Sequence, residues 1–243
     1  MGESKEDVRE YLNKLIRQLV FIKSLDKQLK LISEWESPQR IIALNIGSHF
    51  FRLVTYSFKR TIMIELCKLF SDKEQKSIID FLNYVKKHAA IIEPSRFNPE
   101  SQTREKTSQD EYMKVIDGHI TLIESKKDII SNLKGHRDKL LVHSDAKYFD
   151  DSKILYMKYP LDDTEVDDLI ATAKDILECH HVYLLKSHLE IEVHSTSDVD
   201  TVLWHTRGFK RVWEDKRATF LYPYLYKLDD YEEKLKEQLS KGK

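Results

Sequence analysis

The sequence is poor in the residues that make tight turns. It has six glycines and five prolines among 243 residues, whereas the two together make up roughly 12% of an average protein. Collagen-like chains, proline-rich chains and many-stranded β-sandwiches need far more of them. Helices joined by few loops need fewer, so the composition predicts an all-α protein.

The chain also has few cysteines, no long uninterrupted apolar run and no excess of either charge. Two cysteines, Cys67 and Cys179, are too few for a disulfide framework and fit a reducing cytosol. The most apolar stretch, residues 41–70, is interrupted by charged residues, and the N-terminus is acidic where a signal peptide would be basic. The 40 basic and 41 acidic residues exclude a uniformly basic protein but allow a local basic surface. We therefore expect a cytoplasmic protein with no membrane partner.

Hydrophobic residues amount to 41% of the chain, enough for a sizeable core, and recur with helical spacing. One apolar stripe from Val8 to Ile32 predicts a helix that ends near Glu34. The segment from Pro38 to Phe70 is apolar on several faces, which is typical of a long helix surrounded by others.

Capping-box spacings predict where three further helices begin. They are formed by Ser71 with Glu74, Ser108 with Glu111, and Thr164 with Asp167. Between the first two, residues 93–109 contain two prolines and little to bury, and we expect an exposed loop there. The pattern from Met113 to Leu133 predicts one continuous helix.

No repeat and no long linker divides the chain. We predict one domain with three parts: an N-terminal helix over residues 1–36, a helical bundle over 37–195 and an aromatic, basic extension over 196–243.

The string RDKLLVHSD, residues 137–145, is the candidate site. Arg137 occupies a position that the helical periodicity reserves for an apolar residue, and an unpaired guanidinium is costly to bury. It must reach water, form an ion pair (Glu65 is one candidate partner) or meet an anion. His143 follows six residues later, about 240° round a regular helix and about 9 Å along it. The two side chains could act on one phosphate only if the helix breaks between them or a second chain contributes.

An arginine, a polar residue directly after it, a mostly apolar spacer and a histidine resemble the signature of HEPN domains. The longer string RDKLLVHSD, after IELCKLFSD at residues 64–72, resembles the abortive-infection (AbiU-type) branch. The resemblance implies an all-helical bundle with long antiparallel central helices. It also implies a homodimer in which two Arg/His motifs line one cleft. Many members are metal-independent endoribonucleases of toxin or phage-defence systems, and others are non-catalytic binding modules.

On this resemblance, RNA is the expected substrate and an antitoxin protein a further partner, with no cofactor. Because imidazole titrates near pH 6.5, His143 would be the acid or base, and Arg137 would grip the phosphate. Asp138 would orient Arg137 or the opposing histidine. Asp145 would do the same or, with Lys139, help to bind substrate. Asp145 stands where some toxin members carry a tyrosine through which a partner enzyme silences them, so that form of control is not expected.

The C-terminal extension combines aromatic and basic residues. Residues 201–217 hold five basic and two acidic residues, and Trp204, Phe209 and Trp213 lie among them. Such a pattern suits single-stranded RNA, with Arg207, Lys210 and Arg211 as binding residues. The alternative is that the aromatic residues pack on the bundle while the basic side chains extend into water.

Other sites have weaker support in the sequence. His180, His181 and His188 lack a carboxylate or thiol at a spacing that completes a tetrahedral site, so no metal is expected. Glycine-rich phosphate loops and serine-hydrolase elbows are missing. The leading prediction is an endoribonuclease. Its rival is a catalytically silent helical dimer that binds RNA, nucleotide or protein, and a scaffold without a site is a third reading.

Overall fold

The computed structural model describes residues 5–33, 41, 44–71, 76–89, 92–98, 103–142, 152–187, 189–193, 199 and 201–205. Almost all of their regular structure is helical. The helices are α1 (Lys5–Ser33), α2 (Ser48–Phe70), α3 (Ile78–Lys87), α4 (Gln109–Ser125), α5 (Lys127–His136), a π-helix (Arg137–Val142), α6 (Ser152–Lys158) and α7 (Asp163–Leu185). The predicted all-α class is confirmed.

Helix α1 ends at Ser33, as its apolar stripe predicts. Leu12, Leu19 and Ile22 on that stripe are fully buried, and the helix packs against α3 and α7. Burying a leucine or isoleucine side chain contributes roughly 1.5–3 kcal/mol, so this stripe is a major part of the core.

Helix α2 ends at Phe70 as predicted and begins at Ser48; residues 41 and 44–46, before the turn at Gly47, are helical as well. The expectation that it is surrounded holds for its C-terminal half, where Leu66 and Leu69 are fully buried. Leu53 and Tyr56 in the N-terminal half are 65% and 52% exposed. Apolar composition alone did not distinguish the two halves.

One of the three predicted capping boxes is confirmed, that of Ser108 with Glu111 at the start of α4. Helix α3 begins later than predicted, with Ser77 as N-cap and Asp80 completing the box. Ser71 does not cap this helix and Glu74 lies outside the described residues.

The box predicted at Thr164 is displaced by two residues. Asp162 caps α7 by accepting from the backbone N–H of Glu165 at 2.9 Å, and Thr164 donates its own hydroxyl to Asp162 at 2.6 Å. A carboxylate at the N-cap also interacts favourably with the positive end of the helix dipole, which accounts for the choice of Asp162.

The predicted loop at 93–109 contains an antiparallel hairpin instead. Strand β1 (Ser95–Asn98) pairs with β2 (Thr103–Lys106), with Ser95 opposite Lys106. All four residues of β2 are exposed. A strand that buries neither face lacks the apolar alternation from which strands are predicted, so the sequence pattern missed it.

The single helix predicted from Met113 to Leu133 is divided at Lys126, between α4 and α5. The Lys126 backbone N–H donates to the carbonyls of Ile123 and Glu124, and its ammonium binds Asp168 of α7 at 2.5 Å. Apolar residues keep their helical spacing across this break, so the sequence pattern predicted one helix.

The chain forms two compact units, one of residues 1–33 and 52–196, the other of 34–51 and 197–243. The first holds the main hydrophobic core, which includes Leu12, Leu66, Phe81, Tyr112, Leu133 and Ile176. In the second, Leu44, Phe51 and Leu203 are buried while Trp204 is 70% exposed. Among the described residues, no helix has an apolar stretch long enough to cross a bilayer.

Candidate functional site

Arg137 stands where the α-helical geometry of α5 changes. Helix α5 ends at His136, and Arg137 is the first residue of the π-helix that extends to Val142. Its backbone N–H is shared between the carbonyls of Leu133 and Lys134. A π turn closes with i→i+5 hydrogen bonds, is rare, and is frequent at functional sites. Regular α-helical spacing therefore does not apply to the residues that follow Arg137.

The guanidinium of Arg137 is held by the next residue. Its Nε donates to Oδ1 of Asp138 at 2.7 Å, and the two side chains are 17% and 47% exposed. The alternative partner considered for Arg137, Glu65, accepts hydrogen bonds from Gln18 at 3.0 Å and Lys68 at 2.6 Å. The carboxylate beside the Arg137 guanidinium is therefore that of Asp138 and not that of Glu65, and the orienting role of Asp138 stays a prediction.

The structure places three of the predicted site residues together on this turn, namely Arg137, Asp138 and the half-buried Lys139. Those outside the described residues are His143, Asp145, Arg207, Lys210 and Arg211. The described turn alone offers a permanent cation oriented by a carboxylate, an arrangement suited to a phosphate oxygen.

The residues before Arg137 are joined to the segment around α6. Nε2 of the buried His136 donates to the backbone carbonyl of Tyr159 at 2.7 Å, and its ring lies 4.8 Å from the Tyr156 ring. Burial lowers the pKa of His136, and the hydrogen bond to Tyr159 partly opposes that shift. The residue before Arg137 is therefore a neutral, hydrogen-bonded imidazole. The sequence motif did not single it out.

A second polar cluster lies inside the bundle, where the hydroxyl of Tyr112 is 2.8 Å from Nδ1 of His180. Nε2 of the same ring is 3.0 Å from Nδ1 of His119. Burial lowers the pKa of His180 to about 3, with a smaller contribution from His119, and burial raises that of Tyr112. Both groups are uncharged at neutral pH. The sequence signal that could have indicated this cluster is the spacing of Tyr112 and His119, which lie two turns apart on α4.

The sequence grouped His180 with His181 and His188 instead, as a weak metal candidate. His181 donates from Nδ1 to the carbonyl of Ser187 at 2.9 Å, while His180 faces α4. His188 lies outside the described residues. In the part of the chain that the structure describes, no three histidine, cysteine or acidic residues are grouped so as to hold a metal ion.

A cavity of about 230 Å³ lies between α1, α2, α6 and α7. Its apolar lining residues include Leu29, Ile62 and Val166. The charged residues that line it are Asp26, Asp162, Asp163 and Asp167 with Lys30 and Lys59. Since carboxylates outnumber ammonium groups there, the cavity disfavours a nucleic-acid phosphate, and the Arg137 turn is the better candidate for that role.

Comparison with known protein families identifies this chain's family. The model of a HEPN family described as AbiU2 matches residues 5–202, which include the whole Arg137 turn. No curated protein and no solved structure matches this chain.

Proposed function

Because this chain belongs to the HEPN AbiU2 family, we propose that it is a metal-independent endoribonuclease of a toxin or phage-defence type. The observation that carries the proposal is the Arg137 turn, in which a guanidinium is oriented at 2.7 Å by Asp138 where α5 becomes a π-helix. The proposed active form is a homodimer in which two copies of the Arg137–His143 motif share one cleft.

In the proposed reaction, His143 removes the proton from the ribose 2′-OH. The 2′-oxygen attacks the adjacent phosphorus, and the 5′-oxygen leaves with a proton from a second acid, which the partner's copy of the motif would supply. The products are a 2′,3′-cyclic phosphate and a 5′-hydroxyl. Arg137 stabilises the charge that builds on the non-bridging oxygens, which a fixed cation does without losing its proton. Asp138 holds Arg137 in position. These steps use side chains alone.

The test is cleavage of a mixed RNA pool in the presence of EDTA. The native chain should cut RNA and leave 2′,3′-cyclic phosphate ends, and Arg137→Ala and His143→Ala should each lose about 10²-fold or more in kcat. Arg17→Ala, which removes an exposed arginine from α1, is the matched control and should cut normally. Normal cleavage by the Arg137→Ala and His143→Ala variants would rule out the proposed site. Light scattering of the same samples would test the dimer.

A second candidate function is a catalytically silent dimer that binds RNA, nucleotide or a protein partner. It is favoured by the same ion pair, because Asp138 already engages Arg137, whose side chain is only 17% exposed. This candidate predicts that the folded native dimer retains RNA on a filter without cutting it. RNA that is both bound and cut would exclude it.

A further inference from the structure

The backbone of Gly135 touches an aromatic ring. A Cβ built on Gly135 would lie 2.4 Å from Cδ1 of Tyr159 and 2.5 and 2.7 Å from two further atoms of that ring. No other residue fits there unless Tyr159 moves. Glycine inside a helix is unfavourable relative to alanine, so this close approach gives a reason for its presence near the end of α5. Gly118 in α4 differs, because a Cβ there would meet nothing within 4 Å.

The next residue binds the same tyrosine through its backbone. His136 is 1% exposed and donates to the Tyr159 carbonyl at 2.7 Å. Tyr159 in turn donates its backbone N–H to the carbonyl of Leu155 at 2.8 Å, and Leu155 is fully buried. Tyr159 is thereby fixed to the end of α6, and α6 also contributes Tyr156, whose ring centroid lies 4.8 Å from that of His136.

We infer that Gly135 and His136 are positioning residues for Arg137, which they precede directly. This inference rests on the proposed ribonuclease function. The two contacts to Tyr159 fix the last turn of α5, from which the π-helix and the Arg137 side chain extend. A shift of about 1 Å in a group that acts on the transition state can cost up to about 10²-fold in rate. A packed, hydrogen-bonded support next to that group prevents such a shift.

The first experiment is a double-mutant cycle on kcat. Gly135→Ala should lower kcat about tenfold with little change in KM, because Arg137 is expected to act on the transition state more than on substrate binding. In the Arg137→Ala background, Gly135→Ala should cause no further loss of kcat, because the guanidinium that it would misplace is absent. Gly118→Ala is the matched control and should leave kcat unchanged in both backgrounds. Replacing Tyr159 by alanine in the Gly135→Ala chain removes the ring that the new methyl group meets and should recover part of kcat.

A second pair of variants separates the hydrogen bond of His136 from its ring. His136→Gln keeps a side-chain N–H donor and should retain more kcat than His136→Phe, which keeps a ring and removes the donor. Thermal unfolding of each variant reports whether the fold is intact.

Three results would overturn the inference. In the first, Arg137→Ala inactivates the enzyme while folded Gly135→Ala and His136→Phe cut RNA normally. The ribonuclease proposal would then hold, but Gly135 and His136 would not be positioning residues. In the second, Gly135→Ala costs the same factor in both backgrounds, which would indicate general damage to the fold. In the third, Arg137→Ala itself cuts RNA normally, and the proposed function then fails together with the inference.

Discussion

Tyr112 and His180 join α4 to α7 by a hydrogen bond inside the hydrophobic core, with 2.8 Å between the hydroxyl oxygen and Nδ1. Both residues are fully buried. A buried tyrosine hydroxyl needs an acceptor for its proton, and among the described residues Nδ1 of His180 is the atom in hydrogen-bond contact with it, so we assign the proton of His180 to Nε2. In this assignment, that N–H donates to Nδ1 of His119. The chain of three groups is neutral and each link is satisfied, as buried polar groups require.

The first prediction is a loss of stability in mild acid. The folded protein holds the pKa of His180 at about 3, whereas an unfolded chain protonates histidine near pH 6.5. Between these values the unfolded state binds more protons, so the free energy of unfolding falls as the pH falls below 6.5. At pH 5 this site alone removes about 2 kcal/mol. His119, whose pKa is lowered by burial against an opposing effect of Asp175, acts in the same direction.

Urea unfolding between pH 7 and pH 5 measures this loss. His180→Phe removes the titrating group and should flatten the pH dependence, whatever its effect on stability at pH 7. The exposed His205 provides the control, because His205→Gln should keep the native slope. An identical slope in His180→Phe and the native chain would show that acid acts elsewhere.

The second prediction concerns the hydroxyl of Tyr112. Tyr112→Phe keeps the ring against Tyr183, whose centroid is 4.9 Å away, but leaves Nδ1 of His180 without its donor. An unsatisfied buried acceptor costs about 1–3 kcal/mol. Chemical denaturation at pH 7 should detect this decrease. The exposed Tyr56 gives a matched substitution, Tyr56→Phe, which we expect to change stability by less than about 0.5 kcal/mol. Equal effects of the two variants would contradict the assigned hydrogen bond.

The sequence predicted those elements whose signal is an amphipathic period. Helix α1 and the end of α2 at Phe70 follow from apolar spacing, and burial in one core explains why the spacing is informative. The hairpin at Ser95–Lys106 was missed because its pairing depends on backbone hydrogen bonds, which leave no apolar pattern. Helix starts were misplaced at α3 and α7 because several serine, threonine and aspartate residues near each start could have served as the cap.

The candidate site was predictable in part for a related reason. Arg137 was singled out because it interrupts an apolar stripe, and Asp138 because a polar residue directly follows the arginine in the HEPN signature. The roles of Gly135 and His136 depend on Tyr159, more than twenty residues later, and no local pattern reports such a contact. The Tyr112–His180 bond joins residues 68 positions apart. One sequence read alone does not reveal pairs at that distance.

The third prediction tests the start of α3. Ser77 is fully buried, accepts from the Asp80 N–H at 3.2 Å and caps the helix. Ser77→Ala should therefore lower the free energy of unfolding by about 1 kcal/mol, within a usual range of about 0.5–2 kcal/mol. Ser57→Ala, at an exposed position inside α2, is the control and should be neutral or slightly stabilising. If Ser77→Ala were as stable as Ser57→Ala, the cap would not contribute to folding.

The last prediction addresses the partner of Arg137. Asp138→Ala removes the carboxylate that holds Nε at 2.7 Å, so the guanidinium loses its orientation and kcat should fall about tenfold or more. Asp138→Asn keeps an oxygen that can accept from Nε, although without charge, and should retain a larger share of the activity. Both variants should unfold at nearly the native temperature, because Asp138 is 47% exposed and exposed ion pairs add little stability. Asp117→Ala, which breaks an exposed pair with Lys86, is the matched control and should cut RNA at the native rate. An unchanged kcat in Asp138→Ala, with Arg137→Ala inactive, would mean that Arg137 acts without the orienting carboxylate.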